Sequence, residues 1–276
     1  MNQDKGKILI GTSGYDYPEW KGVFYPPELK RADFLSYYAS QFNALELNNT
    51  FYNMPTSERL FSFYERSQGR LQFSIKGNRL LTHEVSQQWQ SVAEDFKAAL
   101  KPLLEKGNLC AVLFQFPQSF HYENANRIYL AKLIAAFEGF PLVIEFRHKE
   151  WIRESVFEGL VQRKASVAFC DMPELKALPA MMGNTELSSE LITEFIGPNA
   201  YIRLHGRNAN TWYSAAPKAN GSARYDYEYS EDELSKFIPI IHVASEEGRK
   251  VQVFFNNHPK GNGAKNAGQL KKLMAQ

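Results

Sequence analysis

The sequence predicts an α/β fold in which eight parallel strands close into a barrel, as a single domain over residues 1–276. Two observations support this: short apolar runs alternate with helical patterns eight times along the chain, and polar residues gather where each run ends. Alternating strands and helices favour βαβ units, and eight units in about 250 residues match a (β/α)8 barrel of the TIM type. A doubly wound open sheet is the alternative. The "GTSGY" stretch, however, is a weak match to the phosphate loop of such sheets.

The predicted strands are short runs, several of them rich in Val, Ile, Phe and Tyr, which strands favour. In chain order they are ILIGTSG (8–14), ALELNNT (44–50), QFSIKG (72–77), AVLFQFP (111–117), LVIEFRH (142–148), SVAFCDM (166–172), YIRLHG (201–206) and VQVFFNNH (251–258). Their first halves are mostly apolar and their ends are polar. Barrels of this type build active sites at the carboxyl ends of their strands, so these polar ends are predicted to form one functional ring.

The segments between the strands carry helix signals. FLSYYASQF (34–42) has helical spacing of its apolar residues. In DFKAALKPLLEKGN (95–108), Pro102 predicts a kink or a break. One helix is predicted over 230–250, because Ser230 and Glu233 have capping-box spacing at its start.

Composition and charge exclude several classes of protein. The 32 basic and 30 acidic residues give a net charge of +2, so no global field directs the chain to nucleic acid or membrane. No run approaches the ~18 to 20 apolar residues of a membrane span, and the N-terminus lacks a signal-peptide pattern. The two cysteines lie in or beside apolar runs, which predicts core residues. We therefore expect a cytoplasmic protein without a membrane partner; the sequence specifies neither a cofactor nor an oligomeric state.

Strand pleating predicts which side chains face the barrel lumen, because alternate residues of a strand point to opposite sides. The apolar residues that face the helices set the phase of each strand. The residues predicted to point inward are Glu46, Asn48, Ser74, Lys76, Val143, Glu145, Arg147, Tyr201, Arg203, His205, Gln252, Phe254 and Asn256.

Seven motifs in a fixed order link the sequence to a known family. They are IGTSGYDYPEWKGVFYP (10–26), LELNNTFYNMP (45–55), FSIKGNRLLTH (73–83), VLFQFP (112–117), VIEFRHKEW (143–151), YIRLHGR (201–207) and VFFNNHPKGNGAKNAGQL (253–270). Over nearly the whole chain they resemble the YecE-like family, domain of unknown function 72. The resemblance implies a TIM-type barrel and implies no established reaction.

Glu145 and Glu46 are the candidate catalytic acid and base, with His205 as a candidate proton shuttle. A carboxylate in a partly closed cavity can have its pKa moved into a useful range. The alternative is structural: Lys76, Glu145 and Arg203, from alternate strands, would form one charge-balanced layer. A structural Glu145 predicts that Glu145→Gln costs ~3 to 5 kcal/mol, and a catalytic one predicts retained stability. We expect the catalytic outcome.

Arg147, Arg203 and Lys76 are the candidate anion-binding residues, because guanidinium and ammonium groups suit phosphate or carboxylate. The alternative is that they neutralise the acidic strand ends. Arg207 lies just past the seventh strand and extends the cationic set. Further candidate ligand contacts are Asn48, Asn256, Tyr15 and Trp212.

Two loops are predicted on the same face. The polar loop 206–227 contains Trp212 and is long enough to act as a lid. In the last loop, Gly261 and Gly263 precede a helix that begins near Ala264, which predicts exposed N–H groups for phosphate or else an ordinary turn.

No metal is predicted, since no histidine pair has the spacing of metal ligands, although several strand-end acids and histidines could supply donors. The leading hypothesis is an enzyme that acts on an anionic ligand: a phosphate-bearing sugar, a nucleotide or nucleic acid. One alternative is a carbohydrate hydrolase or isomerase that uses the Glu46/Glu145 pair. The other is a non-catalytic ligand-binding protein.

Overall fold

Eight parallel strands form one closed barrel in the structure, a computed structural model that describes residues 6–179, 197–213 and 222–275. The strands are β1 (Ile8–Ser13), β2 (Ala44–Leu47), β3 (Gln72–Lys76), β4 (Leu109–Gln115), β5 (Leu142–Glu145), β6 (Ser166–Asp171), β7 (Asn199–Leu204) and β8 (Lys250–Phe255). Each strand pairs with its neighbour in sequence, and β8 pairs with β1 to close the barrel. The predicted barrel is confirmed, and the open-sheet alternative is wrong.

The helices of the described residues surround the barrel. They are α1 (Phe34–Gln41), α2 (Ser57–Arg66), α3 (Trp89–Glu105), α4 (Asn124–Ala136), α5 (Glu154–Gln162), α6 (Glu231–Ser235), α7 (Ile238–Glu246) and α8 (Asn262–Leu273). Within the same residues, every helix is too short or too polar to cross a membrane.

The segment 230–250 begins as predicted but does not form one helix. The Ser230 hydroxyl accepts the N–H of Glu233, whose carboxylate accepts the N–H of Ser230, so the capping box is confirmed. The chain then divides into α6 and α7. Pro239 lies in the first turn of α7, where a missing N–H is tolerated, and would interrupt a continuous helix.

Pro102 does not break α3, which continues to Glu105. A proline lacks the N–H that would bind the carbonyl four residues earlier, here that of Ala98. The hydroxyl of Ser57, at the start of α2, donates to this carbonyl at 3.0 Å. A neighbouring helix thus replaces the hydrogen bond that the proline removes.

Side-chain packing divides the apolar interior into two cores. The outer core lies between strands and helices and includes Leu45 and Ile144, whereas the inner core fills the lumen and includes Val143, Tyr201 and Phe254. This division confirms the predicted phase of β5, β7 and β8. Both cysteines are buried in the inner core as free thiols.

Candidate functional site

The barrel lumen contains a layer of paired charges formed by Glu46 on β2, Glu145 on β5 and Arg203 on β7, which we call the charge layer. Arg203 Nε and Nη2 donate to the two carboxylate oxygens of Glu46 at 2.9 and 2.6 Å, and Nη1 donates to Glu145 Oε2 at 2.5 Å. The three side chains are at most 1% exposed. Lys76 is not part of this layer; Glu46 occupies the place that the sequence assigned to Lys76.

Glu46 is fully engaged as a hydrogen-bond acceptor. Besides Arg203, the Ser13 hydroxyl donates to it at 2.6 Å and the Tyr201 hydroxyl at 2.7 Å. Burial acts to raise the pKa of Glu46, but Arg203 and these hydrogen bonds outweigh burial and lower the pKa. A sealed, ionised carboxylate with four donors is poorly placed to exchange a proton with a ligand.

Glu145 joins the charge layer to the end of β5. Arg147 Nε donates to Glu145 Oε1, and Arg147 Nη2 lies 3.3 Å from His205 Nε2. Burial acts to raise the pKa of Glu145, but Arg147 and Arg203 hold it well below its ordinary value. Burial and the charge of Arg147 lower the pKa of His205 to about 3, so its ring is neutral near pH 7. His205 Nδ1 lies 2.9 Å from the side-chain amide of Asn256, so His205 lies between Arg147 and Asn256 inside the lumen.

A cavity of about 360 Å³ opens beyond the charge layer, at the carboxyl ends of the strands; we call it the strand-end cavity. Its lining contains three cationic residues, Lys76, Arg147 and Arg224, together with His83. Among the described residues that line it, none is Asp or Glu. Arg147 is paired with Glu145 beneath the cavity, but Lys76 and Arg224 have no described carboxylate partner, so the lining carries excess positive charge on a protein whose net charge is only +2.

Lys76 extends into this cavity without a carboxylate partner among the described residues. Its Nζ donates to Gln115 Oε1 at 2.9 Å and lies 4.5 Å from the centroid of the Phe51 ring. Burial, followed by the charge of Arg203, lowers the pKa of Lys76 to about 7. Burial, followed by the charge of Lys76, lowers the pKa of His83 to about 4. The histidine is thus neutral near pH 7 and the lysine is divided between its two forms.

Aromatic residues form much of the cavity wall. Tyr52 and Tyr213 are 67% and 57% exposed, whereas Trp212 is buried. Phe51 and Tyr225 complete the aromatic part of the wall. Exposed aromatic rings beside a cationic cavity offer a stacking surface for a sugar or a base.

Several candidate residues from the sequence lie outside the cavity. Tyr15 packs on the rings of Tyr38 and Phe63, with centroids 6.3 and 6.2 Å apart, and so belongs to the outer core. Asn48 does not line the cavity, nor does Asn256, which contacts His205 inside the lumen. Of the predicted ligand contacts, the structure brings Lys76, Arg147 and Trp212 together, and Arg203 is sealed beneath them.

Arg207 does not extend the cationic set, because its charge is neutralised. Its Nη2 and Nε donate to the Asp171 carboxylate at 2.8 and 3.0 Å, and the Tyr229 hydroxyl donates to the same group at 2.6 Å. Arg207 Nη1 also donates to Glu233 at 3.2 Å. This cluster links the end of β6 to the start of α6.

The predicted phosphate loop before α8 is covered. Trp20 is fully buried and donates from Nε1 to the carbonyl of His258 at 2.8 Å. Gly261 lies so close to the loop after β1 that an added Cβ would approach Val23 within 2.8 Å. Lys260 is paired with Asp226 at 2.8 Å. The geometry does not support an exposed phosphate site there.

Two basic residues of the cavity, His83 and Arg224, were not singled out in the sequence. Both come from loops: His83 follows β3 and ends a family motif, and Arg224 belongs to the polar loop after β7. Pleat alternation does not apply to either loop. Part of the predicted lid, residues 214–221, lies outside the described residues.

The donors inside the lumen do not suit a metal ion. Glu145, Cys170 and His205 bring ligand atoms within 4.8 Å of one another. Both oxygens of Glu145, however, already accept hydrogen bonds from guanidinium groups, whose positive charges would repel a cation. Burial raises the pKa of the Cys170 thiol well above its ordinary value, so the thiolate that a metal prefers is disfavoured.

One family model matches nearly the whole chain, and several proteins resemble this chain over most of their length. The model of the family described as "Protein of unknown function DUF72" matches residues 9–276. A DUF72 family protein from Thermotoga maritima is 33% identical in sequence, with a TM-score of 0.84 over 98% of this chain and 100% of that one. Another from Enterococcus faecalis is 22% identical, with a TM-score of 0.79 over 98% of this chain and 96% of that one. The UPF0759 protein YunF of Bacillus subtilis is 26% identical over 97% of this chain and 94% of its own length.

Proposed function

The chain belongs to the DUF72 family, whose description gives no function, and we propose a function from the residues of the chain itself. The protein is proposed to be an enzyme whose strand-end cavity binds a small phosphate-bearing ligand, either a sugar phosphate or a nucleotide. The supporting observation is the charge of the cavity: Lys76, Arg147 and Arg224 line it, and its described lining contains no Asp or Glu. The volume of about 360 Å³ suits a small molecule.

Arg147 is the principal anion-binding residue in this proposal. Its Nε is held by Glu145 and its Nη2 by His205, so the planar guanidinium is oriented before a ligand arrives. Such preorganisation reduces the entropy lost on binding. The remaining N–H groups of the fork match phosphate oxygens in pairs.

The carbohydrate hydrolase alternative receives little support from the geometry. It requires the carboxyl groups of Glu46 and Glu145 to reach a sugar and a water molecule. Both side chains are fully buried, and both are bound to the single guanidinium of Arg203. A ligand in the strand-end cavity would meet Arg147 and Lys76 instead.

A thermal-shift titration with inorganic phosphate tests the proposal. Binding at ten times Kd stabilises a protein by about 1.4 kcal/mol, and added NaCl should reduce the shift by screening. Arg147→Ala and Arg224→Ala should each reduce the phosphate-dependent shift. Arg224 lies 6.0 Å from the centroid of the Tyr225 ring and has no carboxylate partner among the described residues, so its removal should leave the fold intact.

Arg31→Ala is the matched control, because Arg31 is an exposed arginine paired with Asp16 at 2.7 Å, away from the cavity. Its shift should equal that of the wild type. Equal shifts in all three variants would mean that phosphate binds elsewhere, and the proposal would then fail.

A further inference from the structure

We propose that Lys76 is a nucleophilic amine that condenses with the carbonyl group of a phosphate-bearing aldehyde or ketone to form an iminium. This assignment rests on the proposed anion-binding function of the strand-end cavity and adds the reacting atom to it. The phosphate would lie on Arg147 and Arg224, and the carbonyl carbon would meet Lys76 Nζ.

The position of Lys76 suits a nucleophile. It is the last residue of β3, at the end of the barrel where the cavity opens, and its ammonium group reaches the cavity wall. Gln115, the last residue of β4, accepts a hydrogen bond from Nζ and so orients it. An amide oxygen orients the amine without the negative charge that would hold it protonated.

The surrounding charges favour the neutral amine. After burial, the charges that lower the pKa of Lys76 are those of Arg203 on β7 and Arg147 after β5, and His83 after β3 is neutral near pH 7. The acids in range, Glu145 and Glu46, are each bound to a guanidinium and offer Lys76 only a partial counter-charge.

With its pKa lowered to about 7, Lys76 is roughly half neutral at pH 7. An ordinary lysine, with a pKa of about 10.4, is neutral in roughly one molecule in 2,500 at that pH, so the advantage in free amine is about a thousandfold. A desolvated lysine next to other cations is a known route to imine chemistry.

The condensation needs no oxidant and no further reactant. The neutral Nζ attacks the carbonyl carbon, and an N–H proton passes to the carbonyl oxygen to give a carbinolamine. The hydroxyl then takes a proton from solvent and leaves as water, while the nitrogen lone pair forms the C=N bond. The resulting iminium withdraws electrons from the neighbouring carbon, which eases loss of a proton or cleavage of a C–C bond there.

Pyridoxal 5′-phosphate is a suitable probe, because it carries both an aldehyde and a phosphate. The full-length protein is incubated with it at pH 7 and low salt, and borohydride then reduces any imine to a stable secondary amine that peptide mass mapping locates. We expect the label on Lys76, and roughly a tenfold or greater loss of labelling in Lys76→Met, given the amine's thousandfold advantage. Inorganic phosphate should protect Lys76.

Two variants complete the design. Lys76→Arg keeps the positive charge but cannot form an imine, so it should retain the phosphate-dependent thermal shift and lose the label. Lys101→Met is the matched control: Lys101 is 68% exposed on α3, 3.8 Å from Glu105, and its loss should leave the labelling unchanged.

The outcomes separate the two proposals. Phosphate binding that depends on Arg147, combined with label spread over surface lysines, would overturn the role of Lys76 and leave the anion cavity standing. Label on Lys76 that phosphate does not displace would support the amine and contradict the anion cavity. Labelling that is the same in Lys76→Met as in wild type would refute the inference directly.

Discussion

The charge layer and the strand-end cavity are adjacent parts of one lumen, and they differ in whether their charged groups have partners of opposite charge. In the layer, Arg203 donates three hydrogen bonds to Glu46 and Glu145, and all three side chains are sealed from solvent. In the cavity, Lys76 has a neutral amide as its partner and faces open space. A buried charge that is fully paired contributes to the structure, whereas a half-buried charge without its counter-charge, such as Lys76, has a shifted pKa and marks a candidate functional group.

Arg147 belongs to both regions and shows how they are connected. Its Nε is bound to Glu145 in the charge layer, and its side chain lines the strand-end cavity. The charge layer thus fixes the orientation of the Arg147 guanidinium, which can contact a ligand in the cavity. The comparison predicts that removing a charge costs stability in the layer and little or none in the cavity.

The largest effect is expected for Arg203→Met, which leaves Glu46 without a cationic partner and Glu145 with Arg147 alone. Breaking one buried pair costs ~3 to 5 kcal/mol, so the loss in the free energy of unfolding should exceed that range or prevent folding altogether. Chemical denaturation measures it. The control is Arg31→Met at the exposed Asp16 pair, where at most about 1 kcal/mol is expected. Similar losses in the two variants would mean that the layer is no more structural than a surface ion pair.

Glu145→Gln should follow, with a loss of ~3 kcal/mol, because it leaves Arg147 and part of Arg203 unpaired. This expected loss is the opposite of the retained stability that the sequence predicted for Glu145→Gln. The folded-state pKa of Glu145 is depressed, so its contribution is present above its unfolded pKa of about 4.3 and is lost as pH falls through the folded value. Urea curves from pH 7 to pH 3 should show the wild type and the variant converging in acid. A constant gap would contradict this assignment.

A smaller effect should appear in anion binding. Sulfate keeps its double charge from pH 8 to pH 6, whereas Lys76 gains a proton as pH falls through about 7. If sulfate binds only when Lys76 is protonated, the larger protonated fraction of Lys76 predicts up to about tenfold tighter sulfate binding at pH 6 than at pH 8. Calorimetric titration of the wild type and Lys76→Met measures it, and the variant should lose the pH dependence. A pH dependence that survives in the variant would assign it to another group.

The last effect has the opposite sign: Lys76→Met should gain stability at pH 7, because a lysine whose pKa is lowered on folding destabilises the folded state wherever the unfolded chain is protonated. The folded pKa of about 7 lies below the unfolded ~10.4, so between these values the unfolded chain holds a proton that the folded one lacks. The advantage of the variant should therefore grow as pH falls from ~10 to about 7 and stay constant below. A loss like that of Glu145→Gln would remove the distinction between the two regions.

The barrel and the direction of most lumen residues could be predicted, because strand period and polar strand ends are local properties of the sequence. The ion-pair partners of these residues could not be predicted. Whether Lys76 or Glu46 contacts Arg203 depends on the stagger between strands that are far apart in the chain. Tyr15 was misplaced for a local reason. It was expected at the ligand because it follows the end of β1, but the chain turns at Gly14, which takes φ 86°, and Tyr15 packs on Tyr38 and Phe63 instead. Arg224 lines the cavity from a loop, and a loop has no regular residue spacing from which the direction of its side chains could be predicted.

The charge layer also has a consequence for synthesis on the ribosome. Glu46 and Arg203 are 157 positions apart, so at ~5 to 20 residues per second the carboxylate is made roughly 8 to 30 s before its guanidinium. During that interval a nascent half-barrel would have to bury an uncompensated anion, which opposes early closure. We therefore expect the layer to oppose compaction until the seventh strand has been made. Translation arrested before that point should yield chains that are protease-sensitive and bound by chaperones.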